Sequence, residues 1–159
     1  MSKITPCLWF NGEAEEAANL YVSLFPDSSI HGVSRYGENM PMPAGTAMLV
    51  EFTLAGQSFQ GLNGGPQFPH SEAISMSISC ADQAEVDHYW NGLLANGGSE
   101  SRCGWLKDRF GVSWQVVPRR MIELQMQGGA GVGRMMQRMM TMRKLEVGPL
   151  EAAFNGEVA

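Results

Sequence analysis

Apolar side chains at Ala14, Ala17, Ala18, Tyr21 and Phe25 recur at intervals of three and four, which predicts a helix in "NGEAEEAANLYVSLF" (residues 11–25). The apolar stretch before it, "ITPCLWF", reads as a short strand. Asn11 or Gly12 is placed to cap the helix, and Glu13, Glu15 and Glu16 fall in its first turn, where the helix dipole favours negative charge. The same pattern returns further on. "AISMSISC" reads as a strand, and "ADQAEVDHYWNGLLANGG" as a helix with Val86, Tyr89, Trp90, Leu93 and Leu94 on one face. Asp82 and Glu85 resemble an acidic capping box, and Gly97 stops the helix. Laying Leu20-Tyr21 over Tyr89-Trp90 aligns Glu13 with Asp82, Glu16 with Glu85 and Leu24 with Leu93, an offset of about 69 residues.

Extended segments follow each helix. After the first come "SSIHGVSRYG", "TAMLVEFTL" and "QSFQGLN", with Met48, Val50, Phe52 and Leu54 alternating and Ala55-Gly56 placed for a hairpin turn. After the second come "SESRCGWL" and "GVSWQVV", joined by "KDRFG", in which Gly111 is expected to adopt a conformation other residues avoid. Strand, helix, strands, twice over, predicts an α+β fold of paired βαβββ units, each helix covering one face of a largely antiparallel sheet. The opposite faces are expected to enclose a trough suited to a ligand.

Beyond residue 118 the pattern turns helical. "RRMIELQMQ" reads as a helix, "GGAGVG" as a flexible connection, and the next helix carries Met135, Met136, Met139 and Met140 as an apolar stripe beside Arg134, Arg138, Arg143 and Lys144. Met142 and Leu145 extend the stripe, and Gly148-Pro149 begin a last helix, "PLEAAF", ended by Asn155-Gly156. The stripe is expected to pack, and its surplus of apolar side chain suggests a contact with a second subunit. The spacing of Gly129, Gly131 and Gly133 is that of a nucleotide-binding glycine loop. Such a loop needs a strand before it and a βαβ unit after it, and here a helix precedes. Neither adenosylmethionine nor any other cofactor is expected, and Gly131→Ala should leave ligand binding unchanged.

Composition narrows the class. At 159 residues with 44% hydrophobic and 17% charged residues, the chain suits one globular, soluble domain, and its net charge of -5 argues against nonspecific nucleic-acid binding. No apolar run spans a bilayer and "MSKITPCLWF" lacks a secretory pattern, so a cytoplasmic protein without membrane contact is expected. Cys7, Cys80 and Cys103 form no CxxC pair and read as buried thiols. Arg102 to Lys144 holds nine of the eleven Lys and Arg but only Asp108 and Glu123 as acids, a balance of +7 against -12 elsewhere. That polarity can steer an anionic ligand or complement another subunit, although charges spread over solvated helix faces explain it more simply.

Three stretches in order, "CLWFNGEAEEAANLYVSLFPDSSI", "LNGGPQFPHSEAISMSI" and "CGWLKDRFGVSWQVVPR", resemble the PhnB-like branch of the vicinal oxygen chelate superfamily, often labelled 3-demethylubiquinone-9 3-methyltransferase. The resemblance runs from about Ile4 to Gly156. It implies the glyoxalase/bleomycin resistance/dihydroxybiphenyl dioxygenase fold, with a first unit at about 4–63, a second at about 73–118 and a helical extension at 119–156, all in one domain. It also implies a homodimer. Metal-using members place His or Glu on inward strand positions. The matching positions here are Thr5, Gln60, Ser75 and Gln115, hydroxyls and amides, while His31, His70 and His88 lie elsewhere. No metal is therefore expected in the trough.

The remaining chemistry is sparse. Cys7 near Trp9 is a possible nucleophile, though strand packing explains it as well. His70 next to Glu72 is a possible general base at the trough mouth, or a solvated loop residue. Trp105, Lys107, Arg109 and Trp114 cluster around one hairpin and could hold an aromatic or anionic ligand. The candidate trough set is Thr5, Cys7, Gln60, Asn63, His70, Ser75, Trp105 and Gln115. The reading is a module that binds a small aromatic or hydrophobic molecule in a metal-free trough. The alternative is a transferase or lyase acting on a quinone-like or dicarbonyl compound.

Overall fold

A computed structural model describes residues Ser2–Glu157, so Met1, Val158 and Ala159 of the domain read from the sequence lie outside the described residues. The chain forms two compact units, one ending at His70 and the other beginning at Ser71. The first contains β1 (Cys7–Phe10), α1 (Ala14–Leu24), β2 (Ser29–Arg35), β3 (Ala47–Leu54) and β4 (Gln57–Asn63), with sheet order β1-β4-β3-β2. The second contains β5 (Ser75–Cys80), α2 (Gln83–Leu94), β6 (Ser99–Glu100), β7 (Trp105–Lys107) and β8 (Ser113–Pro118), in the order β5-β8-β7-β6. In each, the strand before the helix runs parallel to the last strand and the other neighbours are antiparallel. The repeated βαβββ unit is therefore present twice with one topology. Three helices follow: α3 (Arg119–Gln127), α4 (Ala130–Met139) and α5 (Val147–Phe154). Among the described residues no helix is long and apolar enough to cross a membrane.

In the first unit Leu8, Phe10, Val50, Phe52 and Leu54 are buried at alternate strand positions, and α1 meets them with buried Ala14, Ala17, Ala18 and Tyr21. Small alanines let the helix approach closely; a Cβ on Gly61 would sit 3.3 Å from that of Ala14. The cap of α1 is not local. Neither Asn11 nor Gly12 supplies it; the Ala14 N–H donates to Asn63 Oδ1 at 2.9 Å, and Asn63 Nδ2 donates to Ala47 O at 2.8 Å. A fully buried β4 side chain thus joins the helix start to β3. α2 instead has its acidic capping pair: Asp82 accepts from the Glu85 N–H at 2.9 Å, and the Glu85 carboxylate accepts from the Ala81 N–H at 2.5 Å.

"SESRCGWL", read as one extended segment, is instead a hairpin pairing β6 with β7. Cys103 (φ 59°) and Gly104 (φ 83°) both take the left-handed conformation there, turning the chain. A side chain at Gly104 would meet Val116 O at 2.9 Å, so glycine is required for this strand to close on β8. The "KDRFG" turn forms as expected, with Gly111 at φ 87°. Its centre is Asp108, 3% exposed: Oδ1 accepts from the Phe110 and Val112 N–H groups and Oδ2 from Trp114 Nε1 at 2.9 Å.

The extension has its own core of Val117, Met121, Leu124, Met135, Met142, Leu145 and Leu150, with Met136 and Met139 partly buried against it. Met135 is completely buried within the chain, so this position of the stripe is packing for these helices, whereas Met140, at the end of the stripe, is exposed. Only Gly128 and Gly129 connect α3 to α4. Gly131, expected in that connection, lies inside α4, where an added Cβ would stand 2.6 Å from Phe154 O of α5. Gly133, one position on along the motif, has open space around it. Gly131→Ala is expected to destabilise the protein by about 1–2 kcal/mol, overpacking outweighing the helix-propensity gain, whereas Gly133→Ala should stabilise it by about 0.5–1 kcal/mol. Urea unfolding of both variants checks the opposite signs; equal shifts would refute the close approach.

The charge asymmetry is largely answered inside the second unit. Lys107 pairs with Glu72, Arg119 with Glu123, Arg120 with Glu151, Arg143 with Glu100 and Lys144 with Asp87. The Arg134 guanidinium donates to the Ala153 and Phe154 carbonyls at the C-terminus of α5.

Candidate functional site

The sheet of the second unit has two unlike faces. Ile78 and Cys80 of β5, Leu106 of β7 and Trp114 and Val116 of β8 are buried with α2, whose Val86, Tyr89, Trp90 and Leu93 form the other side of that core. The intervening residues, Ser77 and Ser79, Trp105, Gln115 and Val117, point the other way by strand alternation. Over this second face stand Met121, Ile122 and Gln125 of α3 and Met136 and Met139 of α4. Between sheet and helices lies a half-open pocket of about 300 Å³, to which Cys103 also contributes. Its lining is mostly apolar, with two hydroxyls, two amides and a thiol as polar groups. No carboxylate, ammonium, guanidinium or imidazole lines it among the described residues.

Of the residues singled out from the sequence, Trp105 and Gln115 line this pocket, and Gln115 Nε2 donates to Ser75 Oγ at 2.9 Å, which orients the amide. The other five belong to the first unit. Cys7 and Gln60 are partners across β1 and β4, on the face away from α1. Cys7 is exposed, not buried as its type suggested; desolvation nevertheless holds its thiol above the ordinary cysteine range, which opposes a nucleophilic role. Thr5 is half-buried just before β1. Asn63 is fully buried with its amide committed to Ala14 and Ala47. His70 Nε2 donates to Trp9 O at 2.6 Å, and its ring lies 5.4 Å from that of Phe10. Glu72, two residues on, is bound by the Lys107 ammonium, which holds its carboxyl below the usual range.

The hairpin cluster does not converge. Trp105 faces the pocket, Trp114 is buried on the α2 side with its indole N–H on Asp108, and Arg109 lies over the Phe110 ring at 4.6 Å. Cys80 is likewise on the α2 side, where burial first and the Glu85 charge second push its thiol up to about 12, leaving it an inert core residue. Ser77, Ser79, Met121, Ile122 and Gln125 carry no functional reading in the sequence, Cys103 reads there as a buried thiol, and Met136 and Met139 read as part of the packing stripe. The alternation in "SMSISC" marks the serines as one face, but nothing local tells which helices cover it.

Among the described residues no group of three or more His, Cys, Asp and Glu side chains is placed to hold a metal ion. Ser75 and Gln115, two of the four strand positions matched to metal ligands, are hydrogen-bonded to each other, a hydroxyl and amide pair with little affinity for a transition metal. Elemental analysis of protein purified without metal-affinity resin is expected to find less than stoichiometric metal; one tightly held divalent ion per chain would overturn this.

A family model described as 3-demethylubiquinone-9 3-methyltransferase matches residues 2–117, which leaves α3, α4 and α5 outside the matched part. The PhnB protein from Bacillus cereus is 37% identical, with a TM-score of 0.69, over 74% of this chain and 99% of that one. A protein of known structure from Pseudomonas aeruginosa is 25% identical, with a TM-score of 0.60, over 74% of this chain and 98% of that one. A glyoxylase/bleomycin resistance protein/dioxygenase domain from Frankia sp. is 12% identical, with a TM-score of 0.47, over 74% and 92% of the two chains. No curated protein matches. Two βαβββ units of one topology, the family match across both of them and the similarity to the Bacillus protein agree: the chain belongs to the PhnB-like, 3-demethylubiquinone-9 3-methyltransferase family.

Proposed function

We propose that the protein binds a small, largely apolar molecule in the pocket between the second sheet and helices α3 and α4. The observation that carries this reading is the lining itself: an indole, three thioethers and aliphatic carbons around a few hydrogen-bonding groups, in a space of about 300 Å³. Ligand sites are commonly concave, apolar and furnished with a small number of orienting polar groups, and this volume lies at the lower end of their range. Trp105 offers an aromatic face, and Gln115, held by Ser75, offers an oriented amide.

A transferase or lyase acting on a quinone-like or dicarbonyl compound is the second reading, favoured by the family description. Binding ranks above it because, among the described residues, the Cys103 thiol is the only titratable side chain lining the pocket. A methyl transfer would also need a donor. The residues of the glycine-spaced segment do not fit adenosylmethionine, since Gly131 is buried against Phe154 within α4 and the segment follows a helix.

Native mass spectrometry of the purified protein, with and without a library of one- and two-ring compounds, tests the binding reading. The expected result is a noncovalent adduct at one per chain that Ser79→Trp, which fills the pocket, removes. Adducts that persist undiminished in folded Ser79→Trp would place the ligand elsewhere and refute it.

A further inference from the structure

We propose that the ligand is an uncharged aromatic compound and that the C-terminal helices, which lie outside the family-matched part of the chain, make this selection. The proposal rests on the binding reading above. It starts from a division of labour in the pocket. The floor, with Ser77, Trp105 and Gln115, belongs to residues 2–117, whereas the wall of Ile122, Met136 and Met139 belongs to the helices beyond them.

These helices are rich in charge, yet they turn it away from the pocket. Arg119 and Arg120 are held by Glu123 and Glu151, Arg134 by the last carbonyls of α5, and Arg138 by Thr141. What α3 and α4 present inward is aliphatic carbon, thioether sulfur and one amide. A carboxylate or ammonium ligand would lose water there without gaining a counterion, whereas a neutral hydroxyl or carbonyl could bond to an amide. Polarisable thioethers beside an indole favour an aromatic ring over an aliphatic chain of equal volume. At the roughly 30 Å³ that a water molecule occupies in the liquid, the space corresponds to about ten such molecules, the scale of one or two rings.

The wall is also fixed in place. α3 begins directly after β8, and α4 is anchored by Met135 in the core of the extension. The specificity of this chain is thereby set by an addition to the common fold, with the sheet supplying a general floor.

Calorimetry with 2-naphthol and 2-naphthoate at neutral pH tests the proposal on the full chain. The wild type is expected to bind the naphthol at least tenfold more tightly than the naphthoate. Ile122, 40% exposed, tolerates substitution, and Ile122→Lys places an ammonium on the wall; it should shift the ratio at least tenfold toward the naphthoate. Met139→Ala should weaken naphthol binding about tenfold through lost contact. Equal wild-type affinities, or no binding of either compound, would overturn the proposal. It also fails if both folded wall variants leave the ratio unchanged while Ser79→Trp abolishes binding, a result that leaves the pocket reading intact. Binding that survives Ser79→Trp as well would show that the pocket reading itself is at fault.

Discussion

Met135→Glu is expected to destabilise the protein by about 4 kcal/mol and to release the C-terminal helices from the second unit. Met135 is 0% exposed and stands among Val117, Met121, Leu124, Met142, Leu145 and Leu150. A carboxylate there has no cation in that cluster to receive it, so it must either be buried uncompensated or force the helices apart. Losing the methionine's packing adds to the penalty. Met140, five residues on and 63% exposed, provides the control: Met140→Glu should stay within about 0.5 kcal/mol of the wild type. Urea unfolding compares the two. A Met135→Glu protein within 1 kcal/mol of the wild type would show that α4 does not pack as described. The same variant should lose ligand binding, because the wall formed by Met136 and Met139 leaves with the helix. It cannot report on a subunit contact, since the side chain is already committed within its own chain.

Asp108→Ala is expected to remove about 3 kcal/mol. One carboxylate accepts from two backbone N–H groups and the Trp114 indole N–H, all at a residue 3% exposed. Truncation leaves these donors without their acceptor in a buried turn, where each unsatisfied group costs about 1–3 kcal/mol before the turn relaxes or water enters. Asp108→Asn retains one acceptor oxygen and should lose less, about 2 kcal/mol. Guanidinium unfolding monitored by tryptophan fluorescence measures both, and the emission of the native Asp108→Ala protein should change as Trp114 loses its bond. An Asp108→Ala protein as stable as the wild type would mean that the carboxylate does not organise this turn.

The two variants illustrate what each kind of signal conveys. The apolar stripe of Met135, Met139 and Met142 was visible in the chain, but a period of three or four is the same whether a helix packs on its own sheet or on another molecule. Asp108 was visible as a member of a turn, and Gly111 as its left-handed residue. That the carboxylate also holds Trp114 depends on how β8 returns beside the turn.

The sequence by itself determined the elements with local causes. Period-three and period-four apolar spacing placed α1 and α2, alternation placed β3, Ala55-Gly56 placed the β3–β4 hairpin, and the Asp82–Glu85 pair placed the start of α2. Repetition at one offset then implied two units of like topology, and the sheets have it. Only the tertiary structure decided the rest. Asn63 caps a helix 49 residues earlier, the strand read through Cys103 and Gly104 turns back as a hairpin, and Gly131 serves a helix contact and not a connection. Trp105 and Gln115 acquired a pocket only when α3 and α4 settled over them, while Thr5, Cys7, Gln60, Asn63 and His70 belong to the first unit. The physical reason is common to all these cases: propensity, alternation and capping act over a few residues of chain, whereas a long-range hydrogen bond, a close backbone approach or a cavity wall exists only after distant segments have packed.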